Sequence, residues 1–233
     1  MRVHIGTSGF SYAPWKGSFY PEKLPAAKML AYYAERLDAV EINNTFYRMP
    51  TTDALAKWAG ETPEGFRFVL KSPKRITHEK KLADVGDTLA RLAEVATTAL
   101  GQRLGPVLFQ LPPFLKKDLP RLSDFLAQVP KTLRAAVEFR HESWFTDDVY
   151  EALRAGGAAL CLAESEELAT PVVSTADWGY LRLRRQDYDD AALAAWTARL
   201  AAQPWGTAYV FFKHEDEGKG PKLAARFREL LPA

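Results

Sequence analysis

The chain has a single cysteine, Cys161, among 233 residues. One thiol closes no internal disulfide, and its place in the apolar run AALCLA reads as a buried core side chain. Histidine is scarce too: His4, His78, His141 and His214 are the whole supply. None stands in an H-x-x-x-H or H-E-x-x-H spacing, so no metal site and no cofactor are expected. A Gly-x-Ser-x-Gly elbow and a catalytic cysteine pattern are both missing, which argues against nucleophilic acyl transfer. No apolar run nears the length of a membrane span. The chain enters a strand at Arg2–Gly6 with no basic-then-apolar signal segment. The expectation is therefore no membrane partner and a reducing, cytoplasmic setting. No block of like charge reads as a tail. A net charge of +2 neither demands nor excludes a nucleic-acid or phosphate partner.

Linkers rich in Pro, Gly or Ser are also missing, so one domain over residues 1–233 is expected. Its hydrophobic content of 47% allows a sizeable core. Strand-like and helix-like stretches alternate from end to end. Strands are predicted near residues 2–6, 39–43, 66–71, 106–111, 135–140, 158–163, 179–184 and 207–213. Helical spacing of apolar residues predicts helices over 24–37, 52–59, 84–100 and 118–129. Thr146 and Asp189 or Asp190 read as N-caps of two more, and a last helix carries Leu223, Phe227 and Leu230. This pattern makes an α/β fold, a single (β/α)8 TIM barrel, with an open doubly wound sheet as the rival. The strands decide between them. AVEIN at 39–43 sets Glu41 and Asn43 against Val40 and Ile42. AVEFR at 136–140 does the same with Glu138 and Arg140, FRFVLK with Lys71, and YLRLR with Arg182 and Arg184. Both faces of an open parallel sheet are covered by helices and should be apolar. A barrel instead turns one face inward, towards an active-site mouth at its C-terminal end.

Five stretches carry residues suited to chemistry. Gly6-Thr7-Ser8-Gly9 after strand one could present backbone N–H groups to an anion, or be a turn packed by Trp15 and Phe19. In Glu41 to Arg48, Glu41 is a candidate general base, Asn43 a substrate-orienting amide and Tyr47 a binding aromatic. After strand three, Lys71 lies in phase with the inner face and is the best-placed cation, ahead of Lys74 and Arg75. Gln110, before Pro112-Pro113, is a candidate hydrogen-bonding group. Glu138 to Trp144 is the densest segment: Glu138 as acid or base, Arg140 as an anion clamp, and His141 and Trp144 at the strand exit. Arg182 is a third inward cation. The competing reading of Glu41 and Glu138 is an internal ion pair, since buried charges are generally paired.

Taken in order, IGTSGFSY, Trp15 with FYP at 19–21, VEINNTFYR, FVLKSP, ITH at 76–78, GPVLFQLPP, VEFRHESW and YLRLR resemble the YecE-like family of uncharacterised TIM-barrel proteins. The resemblance runs through nearly the whole chain. It implies a (β/α)8 barrel with these residues at one mouth, and it implies no activity. The chain departs from the family pattern late on. Arg182-Leu183-Arg184-Arg185 stands where R-x-H-G is common, and Phe212-Lys213-His214 where F-N-N is common. The Asn-Ala pair expected near Gly220–Leu223 is missing. These changes add positive charge at the mouth.

The reading that follows is an enzyme acting on a phosphate-containing substrate, whether nucleotide, nucleic acid or sugar phosphate. Glu41 and Glu138 would share acid–base work. Lys71, Arg140 and Arg182 would hold the anion, with Gly6, Thr7 and Ser8 contributing donors. One alternative is a non-catalytic nucleic-acid-binding module, supported by aromatics among the cations. Another is a sugar isomerase or epimerase-like enzyme, which would need a metal site or a proton relay.

Overall fold

The computed structural model describes residues 1–232. Eight parallel strands close on themselves in sequence order. They are β1 (Arg2–Ser8), β2 (Ala39–Ile42), β3 (Arg67–Lys71), β4 (Leu104–Gln110), β5 (Ala135–Glu138), β6 (Ala159–Glu164), β7 (Trp178–Leu183) and β8 (Thr207–Phe212). Pairing of β1 with β8 from Arg2↔Thr207 to Thr7↔Phe212 closes the ring. The helices follow as α1 (Met29–Ala34), α2 (Asn44–Tyr47), α3 (Thr52–Gly60), α4 (Gly86–Leu100), α5 (Leu119–Gln128), α6 (Asp147–Ala155), α7 (Asp190–Ala201) and α8 (Lys219–Glu229). The fold is thus the (β/α)8 barrel expected from the alternation.

Side chains alternate faces along a strand. The outward set, including Ile5, Val40, Ile42, Phe68, Leu70, Val137 and Leu181, joins the helices in one large core. The inward set is separate and smaller: Ala39, Val69, Leu108, Ala136, Cys161, Tyr180, Tyr209, Phe211 and their neighbours. Small residues on some strands make room for the tyrosines and Phe211 on others, so the barrel centre is packed. Cys161 lies in this belt, where burial drives its thiol pKa up.

The expected helix over 24–37 is shorter than its apolar spacing. After Pro25 a single 3-10 turn, Ala26–Lys28, leads into α1. Proline has no N–H to give and disfavours helix in the residue before it. β5 stops at Glu138, so Arg140 and His141 belong to the following loop. The residues after β3 wind into a π-helical turn, Arg75–Glu79, that no sequence signal announced. Asp189 caps α7 by accepting from the Ala192 N–H at 2.8 Å. Thr146 stands at the N-cap of α6 but makes no side-chain capping bond.

Gly6 shows how tightly the barrel closes. A Cβ there would lie 1.8 Å from the Ala39 carbonyl oxygen and 2.9 Å from the Tyr33 hydroxyl. Both are fixed groups, and Ala39 is Gly6's partner across β1 and β2. Gly6→Ala should therefore destabilise the fold by about 3 kcal/mol or more, beyond ordinary overpacking. Urea unfolding checks this; a midpoint within a few tenths molar of the parent would contradict it.

Candidate functional site

Three buried charges meet just inside the C-terminal end of the barrel. Glu41 on β2 and Glu138 on β5 are fully buried, and Arg182 on β7 is 2% exposed. Arg182 donates from Nε to Glu41 Oε2 at 2.9 Å and from Nη2 to Oε1 at 2.8 Å, a bidentate pair. Its Nη1 donates to Glu138 Oε2 at 2.6 Å. The Tyr180 hydroxyl adds a 2.6 Å bond to Glu41 Oε2, and Gln110 Nε2 donates to Glu138 Oε1 at 2.8 Å. Every carboxylate oxygen is engaged. Burial alone would raise both carboxyl pKa values, but the Arg182 guanidinium outweighs it and holds them below the usual range.

The network continues outward through Gln110. Its Oε1 accepts from Lys71 Nζ at 2.8 Å, and the same ammonium sits 4.4 Å from the centre of the Phe46 ring. Burial, then the neighbouring Arg182, lower the Lys71 pKa to about 8, against a partial pull upward from the two glutamates. Thr45 fixes the local backbone by donating to the Lys71 carbonyl at 2.6 Å. His78 packs edge-on to Phe46. Burial, then Lys71 and Arg140, lower its pKa, so it is neutral at pH 7. Arg140 is half-buried and makes no ion pair among the described residues. Arg184 reaches within 3.8 Å of Glu138 Oε1.

Two cavities open at this end. One, of about 780 Å³, is lined by Arg184, Arg185, Lys213, Lys219 and Lys222 with His214 and the acidic turn Glu215–Glu217. The other, of about 210 Å³, lies among Gly9–Tyr12, Asn43 and Trp58.

The structure brings Glu41, Lys71, Gln110, Glu138 and Arg182 into one connected set and places Asn43, Arg140 and His141 near the rim. It corrects several expectations. Glu41 and Glu138 are not free carboxylates; their geometry is the internal ion pair. Arg182 is consumed by them and has no open fork for an external anion. Thr7 points away from the barrel interior, bonded to the Gly9 carbonyl at 2.6 Å and to the Tyr33 hydroxyl at 2.9 Å. Gly6 is a packing position rather than an anion cradle. Ser8 does face inward, in register with Glu41, its buried Oγ beside that carboxylate but without a close hydrogen bond. Trp144 is core: it stacks on Phe139 at 4.6 Å and donates to the Leu115 carbonyl at 2.7 Å. His141 Nδ1 accepts from the Ser143 N–H at 3.1 Å, which shapes its own loop. Tyr47 lies outside the pocket, 75% exposed. Tyr180 was missed, although its phase with Arg182 was the available signal. Among the described residues, no three His, Cys, Asp or Glu side chains converge as metal ligands, and no helix is long and apolar enough to cross a membrane.

A family profile described as "Protein of unknown function DUF72" matches residues 4–233. The chain belongs to this family. It is similar to the UPF0759 protein YunF of Bacillus subtilis, 28% identical over 156 residues that cover 64% of this chain and 54% of that one. With the UPF0759 protein YecE of Escherichia coli K12 it shares 32% over 144 residues, covering 61% and 50%. The chain thus spans about half the length of these curated relatives. The crystal structure of the DUF72 protein TM1631 of Thermotoga maritima superposes with a TM-score of 0.84 at 26% identity, covering 99% of both chains. The expected YecE-like membership and barrel fold are both met in this DUF72 chain.

Pairing with Arg182 lowers the glutamate pKa values, so its stabilisation is complete above the ordinary 4.5 and is lost as pH falls through the lower folded values. Arg182→Met strands two buried carboxylates and should cost about 3–5 kcal/mol at pH 7. Both carboxyls would then rise above their ordinary pKa and take up protons readily, so the deficit should be smaller at pH 5. Urea midpoints at the two pH values check this; an equal deficit at both would contradict it.

Proposed function

We propose that this DUF72 barrel is an enzyme that binds a phosphate-bearing small molecule at its C-terminal mouth, with Lys71 as the acid–base group. The observation behind this is an imbalance of charge. Glu41 and Glu138 exceed Arg182 by one charge, whereas Lys71, Arg140, Arg184, Arg185, Lys213 and Lys222 gather around the same end and outnumber that charge together with the exposed acidic turn Glu215–Glu217. Such a field favours an anion, and a partly enclosed mouth strengthens it relative to open water.

The acid–base assignment follows from what is reachable. Glu41 and Glu138 are sealed and fully hydrogen-bonded, which suits positioning rather than proton transfer. Lys71 is the outermost member of their chain and sits at the mouth. With a pKa of about 8 it offers both protonation states near neutral pH, as a general acid or base requires. Gln110 relays the position of Glu138 to its ammonium. Arg140 and Arg184 would hold the phosphate oxygens, and Asn43 would meet the rest of the ligand. A second reading, the nucleic-acid module, draws on one observation: Tyr47 and Phe114 are exposed aromatics, and Lys81 lies over the Phe114 ring at 5.5 Å. Against it, Trp15 and Trp144 are buried and offer no stacking face.

A thermal-shift screen of nucleotides, sugar phosphates and short oligonucleotides at two salt concentrations separates these readings. The expected result is stabilisation by a small phosphate compound that persists at high salt and is lost in Arg140→Gln. Binding should weaken as pH rises through about 8, where Lys71 gives up its charge, and Lys71→Met should remove that pH dependence. A shift given only by oligonucleotides and abolished by salt would favour the nucleic-acid module. No shift with any phosphate compound would defeat both.

A further inference from the structure

The opposite, N-terminal end of the barrel carries a third cavity, of about 440 Å³. Arg2, Arg67 and Arg134 line it, over a floor formed by Tyr209 and His4. The three arginines have one origin in the sequence. Arg2 and Arg67 are the first residues of β1 and β3, and Arg134 immediately precedes β5. Each lies in the inward phase of its strand: Arg2 with His4 and Gly6, Arg67 with Val69 and Lys71, Arg134 with Ala136 and Glu138. Alternate strands thus deliver one guanidinium each to the same end of the barrel, as alternate strands supply the interior layers of this fold.

No carboxylate lines this cavity. Asp38, whose charge reaches Arg67, is committed elsewhere: it accepts from the Ile5 N–H and from Arg228, each at 3.0 Å, and pairs with His4 Nδ1 at 3.0 Å. Among the described residues, none of the three arginines forms an ion pair. Arg67 spends Nη1 on the carbonyls of Glu64, Gly65 and Phe66, which fixes its guanidinium without neutralising it. Arg2 and Arg103 add repulsion to its desolvation. The two ends of one barrel therefore treat arginine differently. At the C-terminal end a buried guanidinium meets two carboxylates, whereas at the N-terminal end three guanidiniums share a cavity and meet none.

We infer that this N-terminal cavity is a second anion site, for a small ligand bearing more than one phosphate. Three planar forks converging from separate strands suit a multiply charged group of tetrahedral oxyanions. The Thr132 and Thr207 hydroxyls and the Gln102 amide, which also line the cavity, supply neutral donors around it. The site lies across the packed barrel interior from the Lys71 mouth, so it does not depend on the function proposed for that mouth.

Pyrophosphate is the probe. Its binding to the full chain is measured by isothermal titration at 0.15 M salt, for the parent, for Arg2→Gln/Arg134→Gln and for Arg140→Gln. Arg2 and Arg134 are exposed, and the one neighbour Arg134 engages is the Tyr209 side chain at the cavity floor, so a matching thermal midpoint for the double variant is required to show that the fold is intact. The expected result is saturable binding by the parent, weakened roughly tenfold or more in Arg2→Gln/Arg134→Gln and still present in Arg140→Gln. If the mouth also binds pyrophosphate, Arg140→Gln loses one of two sites and keeps the one sensitive to Arg2 and Arg134. The inference is overturned if the parent shows no saturable binding, if the Arg2→Gln/Arg134→Gln variant binds like the parent, or if sulfate at equal concentration competes fully. The last outcome would mean general screening of positive charge.

Discussion

The Arg182 guanidinium, held between Glu41 and Glu138, fixes the interior of this barrel. β7 borders β6 and β8, so its ties to β2 and β5 run through the interior rather than along the hydrogen-bonded wall. Taking three ions out of water costs several kcal/mol for each. Short charge-assisted bonds and the further donors from Tyr180 and Gln110 offset that cost only while all the members are present. A network of this kind gives little net stability compared with apolar packing, but removing any one member leaves a buried charge unpaired. Its consequence is positional. The chain from Arg182 through Glu138 and Gln110 sets where the Lys71 amine rests.

Burial and the neighbouring cations lower the Lys71 pKa, and the two glutamates oppose them. A lysine in open water stays protonated far above neutrality. Here desolvation and Arg182 destabilise the ammonium, and the glutamates hold back only part of that loss because their charge is shared with Arg182. Between the folded value of about 8 and the ordinary 10.5, the unfolded chain binds a proton that the folded chain has released. Stability therefore rises with pH across that window, and at pH 7 the charged lysine is a cost to the fold. This cost of holding a charge at the barrel mouth is what supports the acid–base role proposed for Lys71.

Much of this was legible because strand phase is a local property. Two-residue alternation put Glu41, Lys71, Glu138 and Arg182 on the inner face from short segments alone. Which of them pair was not legible: Arg182 lies 141 residues from Glu41 and 44 from Glu138, and no local pattern encodes closure of the ring. Other errors have local causes. Thr7 sits in a stretch rich in hydroxyls, but its parity is opposite to that of Ser8, and parity decides. Trp144 lies beyond the end of β5, where the alternation stops and the chain turns its indole back onto Phe139. The arginines at the strand starts carried the same phase signal as the residues at the mouth. They lie at the N-terminal ends of their strands, whereas the active sites of this fold lie at the C-terminal ends.

The late positions that the resemblance marks as departures, Arg184, Lys213 and His214, touch the edge of this arrangement and leave its centre in place. Arg184 follows Arg182 by one alternation, so it rises along the same face and ends near Glu138 without a close bond, its buried Nε unpartnered among the described residues. Lys213 is exposed at the end of β8. His214 takes the other phase and turns its Nε2–H to the Arg185 carbonyl at 2.6 Å, which fastens the β7 and β8 loops to each other. The substituted positions thus add charge and define a rim, while every bond of the Glu41–Arg182–Glu138 set comes from residues that match the pattern. None of these rim residues supplies a close bond that positions Lys71, whose amine is set by Gln110 and, behind it, Glu138 and Arg182.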